Sequence, residues 1–202
     1  RKILLSQLNG ILLAVALPVF STTVYLILYT PDLKEVLVGT GSNAATSGGF
    51  GPNQVATLLG MGMFVFFSRL LLESKTKLMF IINLIILLNI TYRGLVTFSR
   101  GGMLTGFIMI IILLAYLFLK TKSYGRFNLS RILIFMSIAF FMTWGYTSNQ
   151  TGGLIDKRYA NKDAAGRVKE SNLSGREDIW NSEMDDFLDH PVFGVGVGKA
   201  LK

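Results

Sequence analysis

The chain has 202 residues, of which 51% are hydrophobic and 16% are charged, and its mean hydropathy is +0.50. Soluble domains carry about 25% charged residues and disperse their apolar residues, whereas here these form long runs, so a water-soluble domain is excluded. Because the chain has no cysteine and one histidine, a disulfide scaffold, a thiolate zinc site, a cysteine nucleophile and a site built from several imidazoles are excluded as well.

Five apolar runs predict an all-α, polytopic bundle of transmembrane helices. The runs cover residues 3–29, 54–72, 78–98, 103–119 and 129–146, and each is close to the roughly 20 residues that a bilayer requires. We therefore expect a membrane region over residues 1–146 and a helical or loop-like segment over residues 147–202. Since the chain begins at Arg1 and stops after a glycine-rich stretch, we also expect it to be part of a longer protein.

Positive charge is concentrated in the apolar part of the chain. Residues 1–146 hold 12 basic and 3 acidic residues, a net charge of +9, whereas residues 147–202 hold 8 and 9, a net charge of −1. Basic residues beside apolar runs are the usual orientation signal of a membrane protein. The excess therefore predicts a bilayer environment and not a nucleic-acid partner.

Lysines and arginines cluster at alternate ends of the apolar runs. They precede the first run, surround the connection after the second and fill the connection after the fourth (Arg1 and Lys2; Arg69, Lys75 and Lys77; Lys120, Lys122, Arg126 and Arg131). Such connections stay on the cytoplasmic side of a membrane. We therefore expect loop 30–53, the turn around Arg100 and the segment from residue 147 onward on the outer side.

Arg93 stands out because it lies inside an apolar run, where an arginine costs roughly 2.5–3.5 kcal/mol at the membrane centre. One interpretation is that its long side chain carries the charge to the membrane surface. The other is that the helix continues to Arg100, seven residues later, so that both guanidinium groups form a basic strip near the outer surface.

Arg100 lies in the sequence Ser99-Arg100-Gly101-Gly102, where two glycines are expected to open a turn between adjacent spans. Glycine lets a backbone approach a ligand closely. An arginine can bind a phosphate through two parallel hydrogen bonds, and N–H groups at the start of the next helix add to the attraction. This pattern predicts an anionic substrate; the alternative is that Arg100 only anchors the helix at the membrane surface.

A second candidate, Arg176, lies in the first turn of a helix predicted over residues 174–188. Ser174 and Glu177 form a capping box, and four apolar side chains share one face (Trp180, Met184, Phe187 and Leu188). That face predicts contact with the membrane surface, with other spans or with a small soluble core. Because the macrodipole disfavours a cation at a helix start, Arg176 either faces an anion there or pairs with a nearby acid.

Three segments, in their order and spacing, resemble the O-antigen ligase and O-antigen polymerase family of bacterial membrane glycosyltransferases. Residues 50–54 (FGPNQ) are similar to that family's Gly-Pro-Asn entry to a span, and residues 99–102 (SRGG) to its Ser-Arg-Gly turn. Residues 175–180 (GREDIW), followed by residues 189–198 (DHPVFGVGVG), are similar to a stretch of its large outer loop. The resemblance extends from about residue 53 to residue 198.

The resemblance implies transfer of a glycan from undecaprenyl pyrophosphate to an acceptor glycan or glycolipid at the outer face of the bacterial cytoplasmic membrane, in lipopolysaccharide or capsule biosynthesis. It implies no nucleotide sugar, catalytic metal or other cofactor. Arg100 and Arg176 would bind the pyrophosphate leaving group, and further residues would bind substrate (Arg93, Ser99, Gly101, Asn53 and Trp180). The family's acceptor-activating histidine is expected beyond residue 198; His190 does not fill that role, so the segment alone is expected to be inactive.

Two other classes of protein fit the same residues. An anion or small-solute transporter would also contain intramembrane arginines and glycine-broken spans, and it predicts uptake that depends on Arg93 and Arg100. A non-catalytic scaffold would bind a partner through the helix of residues 174–188, and it predicts that lysine replaces the arginines without loss. Within the enzyme hypothesis, a ligase and a polymerase are not distinguished, because both use the same carrier and leaving group.

Overall fold

A computed structural model describes residues 5–36, 39–169 and 176–196. Over these ranges the regular structure is helical, with no strand, and the predicted all-α bundle is confirmed. The helices are α1 (Leu5–Tyr29), α2 (Leu33–Val36), α3 (Pro52–Leu72), α4 (Lys77–Val96), α5 (Arg100–Lys120), α6 (Ser123–Gln150), α7 (Leu154–Tyr159) and α8 (Arg176–Asp189), with one 3-10 turn at Ala45–Ser47.

Five of these helices (α1, α3, α4, α5 and α6) are long and apolar enough to cross a membrane, as the five runs predicted. The largest difference in length is at α6, which begins at Ser123 and continues to Gln150. It therefore includes Arg126 and Arg131, which we expected in the connection. The Nε–H of Arg126 donates to the carbonyls of Phe118 (3.0 Å) and Thr121 (2.9 Å) at the end of α5, so this arginine stabilises the tight connection from within the helix.

Helix α3 lies at the centre of the bundle and packs against α1, α4 and α5. Its contact with α5 is very close: a Cβ atom added to Gly60 would lie 2.1 Å from the carbonyl oxygen of Gly102, and one added to Gly106 would lie 2.3 Å from that of Gly60. Small residues four apart on both helices allow this approach, as is typical of helix pairs in membranes. The start of α5 is thereby fixed against α3.

The chain alternates between the two ends of the bundle, so the described residues of the segments 30–51, 97–99 and 151–169 all lie at the same end. Here α7 packs back onto the α4–α5 turn, and Leu95, Phe98 and Ile155 form a buried cluster. The hydroxyl of Thr40 donates to the carbonyl of Lys162 (3.0 Å), which joins the first of these segments to the third.

The residues after α6 are more ordered than the expected loop. Besides α7, an antiparallel bridge joins Lys162 and Val168, and the Nε–H of Arg167 donates to Asp163 at 2.9 Å. Helix α8 confirms the helical part of the predicted 174–188 segment. Its capping box is not tested, because Ser174 lies outside the described residues and the side chain of Glu177 is not described.

Candidate active site at one end of the bundle

The turn between α4 and α5 has an unusual backbone. Phe98 has a φ of +56°, in the left-handed region, which costs a non-glycine residue about 1–3 kcal/mol. Its side chain is fully buried against Leu95 and Ile155, so tertiary packing maintains the conformation. Because α4 ends at Val96 and α5 begins at Arg100, one continuous helix does not carry both Arg93 and Arg100, and the single-face basic strip is wrong.

Asn53 and Ser99 are in direct contact. The Ser99 hydroxyl donates to the Asn53 side-chain carbonyl at 2.7 Å, across 46 positions of sequence. Ser99 is the N-cap residue of α5, yet its hydroxyl makes no capping hydrogen bond to its own helix. The structure thus joins the start of α3 to the start of α5 through two side chains from separate segments of the resemblance.

The two glycines after Arg100 have different roles. A Cβ atom on Gly102 would lie 2.3 Å from the backbone of Ala56 in α3, so Gly102 serves helix packing and does not approach a ligand. A Cβ atom on Gly101 would meet nothing within 4 Å. Both residues lie in the first turn of α5 and do not open the turn before it, contrary to expectation. Of the pair, only Gly101 is open to a substrate.

Arg100 is half-buried and extends toward α7. Its Nη1 lies 3.5 Å from the backbone carbonyl of Arg158 and 3.5 Å from the side-chain oxygen of Asn161. Both distances are at the long limit of a hydrogen bond. The guanidinium group is therefore directed toward the end of α7 and the turn that follows it.

Arg158 was missed by the sequence analysis. It is buried, with 8% of its surface exposed, and its Nε–H donates to the carbonyl of Phe98 at 2.9 Å. Burial lowers the pKa of Arg158, and the positive charge of Arg100 lowers it further. Burial also raises the pKa of Tyr159 to about 12, against the opposite influence of both arginines. The apolar pair Leu154-Ile155 just before Arg158 was the only local signal that this segment packs.

An apolar groove leads to this cluster from the middle of the bundle. One cavity of about 330 Å³ lies between α3, α4, α5 and α6. A second cavity of about 200 Å³ shares Met63, Phe107 and Phe140 with the first and extends to Trp144 and Tyr159. The groove therefore ends at Tyr159, next to the two arginines.

Comparison with known protein families identifies the family of this chain. A family model described as O-antigen ligase matches residues 81–202, which is more than half of the chain. The chain belongs to the O-antigen ligase family. No curated protein and no solved structure matches it. The match includes Ser99, Arg100, Arg158 and Arg176, whereas Asn53 precedes it.

Membership in the O-antigen ligase family supports a glycosyltransferase-type role in polysaccharide biosynthesis. It implies lipid-linked glycans as substrates and a membrane environment. The five apolar helices and the family together identify a multi-pass membrane protein. Among the described residues, no group of three or more His, Asp or Glu side chains is arranged to hold a metal ion.

Arg93 lies apart from the turn between α4 and α5. It is in the last turn of α4, and its guanidinium carbon is 5.5 Å from the centre of the Tyr92 ring. Tyr92 in turn contacts Tyr146 of α6, with 5.3 Å between ring centres. Arg93 therefore lies over a ring of its own helix, and the structure does not bring it to Arg100.

Arg176 and Trp180 lie on α8, and both are exposed. No hydrogen bond, ion pair or ring contact of the described residues joins either of them to the cluster around Arg100. Residues 170–175, which connect α8 to the preceding segment, are outside the described ranges. The structure thus brings together Asn53, Ser99, Arg100 and Gly101, but not the predicted pair of Arg100 and Arg176.

Proposed function

We propose that this protein transfers a glycan from undecaprenyl pyrophosphate to an acceptor sugar, as an O-antigen ligase or a surface-polysaccharide polymerase. The observation that carries the proposal is the placement of Arg100. It lies at the first turn of α5, near the buried Arg158 and beside the Asn53–Ser99 hydrogen bond. This arrangement offers positive charge and backbone N–H groups to an anion.

The reaction breaks the bond between the anomeric carbon of the donor sugar and an oxygen of the pyrophosphate. An oxygen of the acceptor hydroxyl forms the new bond to that carbon, and its proton passes to a base. The pyrophosphate leaves with increased negative charge. Arg100 stabilises this charge as it develops, and a fixed cation in a poorly solvated site lowers such a barrier more than a cation in water. By the resemblance, Arg176 provides a second cation.

The apolar groove is a suitable binding site for the lipid chain of the carrier. Its lining is apolar along α3, α5 and α6, and it ends at Tyr159 beside the arginines. A polyisoprenyl chain in this groove would bury its methyl and methylene groups, each CH₂ contributing about 0.8 kcal/mol. Its pyrophosphate would then reach the Arg100 end of the bundle.

The distribution of basic residues supports an outward-facing site. The opposite end of the bundle carries the clustered basic connections (Arg69, Lys75, Lys77, Lys120, Lys122 and Arg126), which stay on the cytoplasmic side of a membrane. We therefore assign the Arg100 end to the outer face of the cytoplasmic membrane. Residues 147–202 then belong to an outer-face segment and residues 1–146 to the membrane region.

The transporter alternative is weaker than the enzyme proposal. It required Arg93 and Arg100 to share a path for an anion. Arg93 instead lies over the ring of Tyr92 in its own helix, while Arg100 extends toward α7. The family that matches the chain is one of ligases, and this also favours the enzyme.

The test is Arg100→Ala in the intact protein, expressed in cells that lack the native copy. We expect the surface glycan to be lost while the protein remains in the membrane. The matched control is Arg167→Ala, which removes an exposed arginine that pairs with Asp163 and is expected to leave the glycan unchanged. Surface glycan retained in Arg100→Ala cells would overturn the proposal.

A further inference from the structure

We infer that Arg158 is a positioning residue, which holds the α4–α5 turn through its Nε–H and thereby sets the direction of Arg100. The inference rests on the proposed function, in which Arg100 binds the leaving group. It assigns a role to a residue that lies outside the three segments of the family resemblance.

Arg158 is buried, and no acid of the described residues pairs with it. Among the described residues its hydrogen bond is to the Phe98 carbonyl, and it forms no ion pair. The acid on the same helix, Asp156, accepts hydrogen bonds from Trp144 (2.7 Å) and Ser148 of α6 instead. A buried, unpaired cation is costly, so a surface role or simple charge pairing does not explain why arginine is at this position.

The backbone of Phe98 is strained. Helix α7 holds this residue from two sides, because Ile155 packs against its side chain and Arg158, one turn later, binds its carbonyl oxygen. A residue with a φ of +56° relaxes unless its surroundings determine its conformation. Arg158 supplies the polar half of that constraint.

Phe98 lies only two residues before Arg100 in the chain. The residue between them is Ser99, whose side chain contacts Asn53. The backbone carbonyl of Arg158 is also within 3.5 Å of Nη1 of Arg100. If the Phe98 carbonyl turns, Ser99 and the first residue of α5 must turn with it. A displacement near 1 Å at a catalytic group can cost on the order of 100-fold in rate.

Three substitutions distinguish the effect of the hydrogen bond from Arg158 to Phe98 from the effect of the positive charge of Arg158. The Nε2 of glutamine occupies the position of the arginine Nε, so Arg158→Gln keeps the donor to Phe98 and removes the charge. Arg158→Met places a side chain as long as that of glutamine at this position and removes both the donor and the charge. Arg158→Lys keeps the charge but places a methylene where the donor was. We expect Arg158→Gln to retain glycan transfer within about threefold, and Arg158→Met and Arg158→Lys to lose on the order of 100-fold in kcat.

A spin label in the first turn of α5 tests the same inference without an assay of glycan transfer. The 202 residues contain no cysteine, and a Cβ atom at Gly101 meets nothing within 4 Å. A spin label can therefore be attached to the Gly101→Cys variant of the intact protein, with any other cysteine replaced. We expect the label to become more mobile in Arg158→Met and Arg158→Lys, and to remain as in the parent in Arg158→Gln. The label reports the first turn of α5 whether or not Arg100 binds pyrophosphate.

The outcomes are distinct. Activity retained by Arg158→Lys and lost by Arg158→Gln would overturn the inference in favour of charge, and unchanged label mobility in all three variants would overturn it outright. If Arg158→Met does not reach the membrane, the comparison of lysine with glutamine decides. Should Arg100→Ala retain its glycan while the label pattern holds, the proposed function fails and the positioning role of Arg158 stands.

Discussion

The two arginines predicted to bind pyrophosphate lie in contrasting surroundings. Arg100 begins α5 within a cluster held by residues from α3, α4 and α7, including the contacts of Asn53 with Ser99 and of Arg158 with Phe98. Arg176 begins α8, and it and Trp180 are exposed. If both arginines act as proposed, we expect a substitution near Arg100 to change both stability and chemistry, and a substitution at Arg176 to change chemistry alone.

The largest effect in this comparison is expected for Arg176→Ala. We expect glycan transfer by the intact protein to fall by about 10²–10³-fold, since one charge that stabilises the leaving group is lost. The melting temperature should not change, because the side chain is exposed. Transfer kinetics and thermal unfolding in detergent measure the two quantities. A large fall in melting temperature would show that the two regions do not differ as described.

At the buried region, Gly106→Ala should disrupt the bundle. The new Cβ atom would lie 2.3 Å from the Gly60 carbonyl oxygen, so α3 and α5 must separate. Overpacking of this kind costs about 1–3 kcal/mol. The matched control is Gly101→Ala in the same helix, which has open space around its Cβ atom. Thermal unfolding should rank Gly106→Ala well below Gly101→Ala, and equal melting temperatures would contradict the close packing.

The buried cluster also predicts a pH dependence. Burial raises the pKa of Tyr159 from 10.0 to about 12, so the unfolded chain ionises first as the pH rises. Neutral Tyr159 therefore contributes its full stabilisation of the folded state below pH 10. This contribution, on the order of 2–3 kcal/mol, is lost as the pH rises toward 12. Melting temperatures between pH 8 and pH 12 should fall more steeply for the wild type than for Tyr159→Phe. Parallel curves would show that Tyr159 is not buried.

The smallest effect is expected at the contact between Asn53 and Ser99. Removing either partner should cost about 0.5–1.5 kcal/mol, the net value of one hydrogen bond. In a double-mutant cycle of Asn53→Ala and Ser99→Ala, the double variant should lose less than the sum of the single variants. Strict additivity would mean that the two residues do not interact in the membrane.

The membrane bundle was predictable because the signal for a span is local. A run of about 20 apolar residues suffices, and all five runs became helices. The exact ends were less predictable: Arg126 and Arg131 are compatible with a helix as well as with a loop, and α6 includes both. The break after Val96 was also hidden, because nothing in the residue type of Phe98 indicates a left-handed backbone.

The candidate site was predictable only in its parts. The segments containing Asn53 and Ser99 were each singled out, but their contact across 46 residues depends on the packing of α3 against α5. Arg158 was not found, because its importance comes from the position of α7 over Phe98 and not from a motif. Both glycines after Arg100 were expected to open a turn, but Gly102 serves helix packing, since a glycine pattern does not distinguish the two uses.

The most direct test of the central claim measures kcat and KM of the purified intact protein with an undecaprenyl pyrophosphate-linked glycan. The account predicts that Arg100→Ala lowers kcat by about 10²–10³-fold, the loss expected when one group that stabilises developing charge is removed. Arg167→Ala, with its exposed side chain, should match the wild type. Equal kcat values for Arg100→Ala and wild type would contradict the claim that Arg100 stabilises the leaving pyrophosphate.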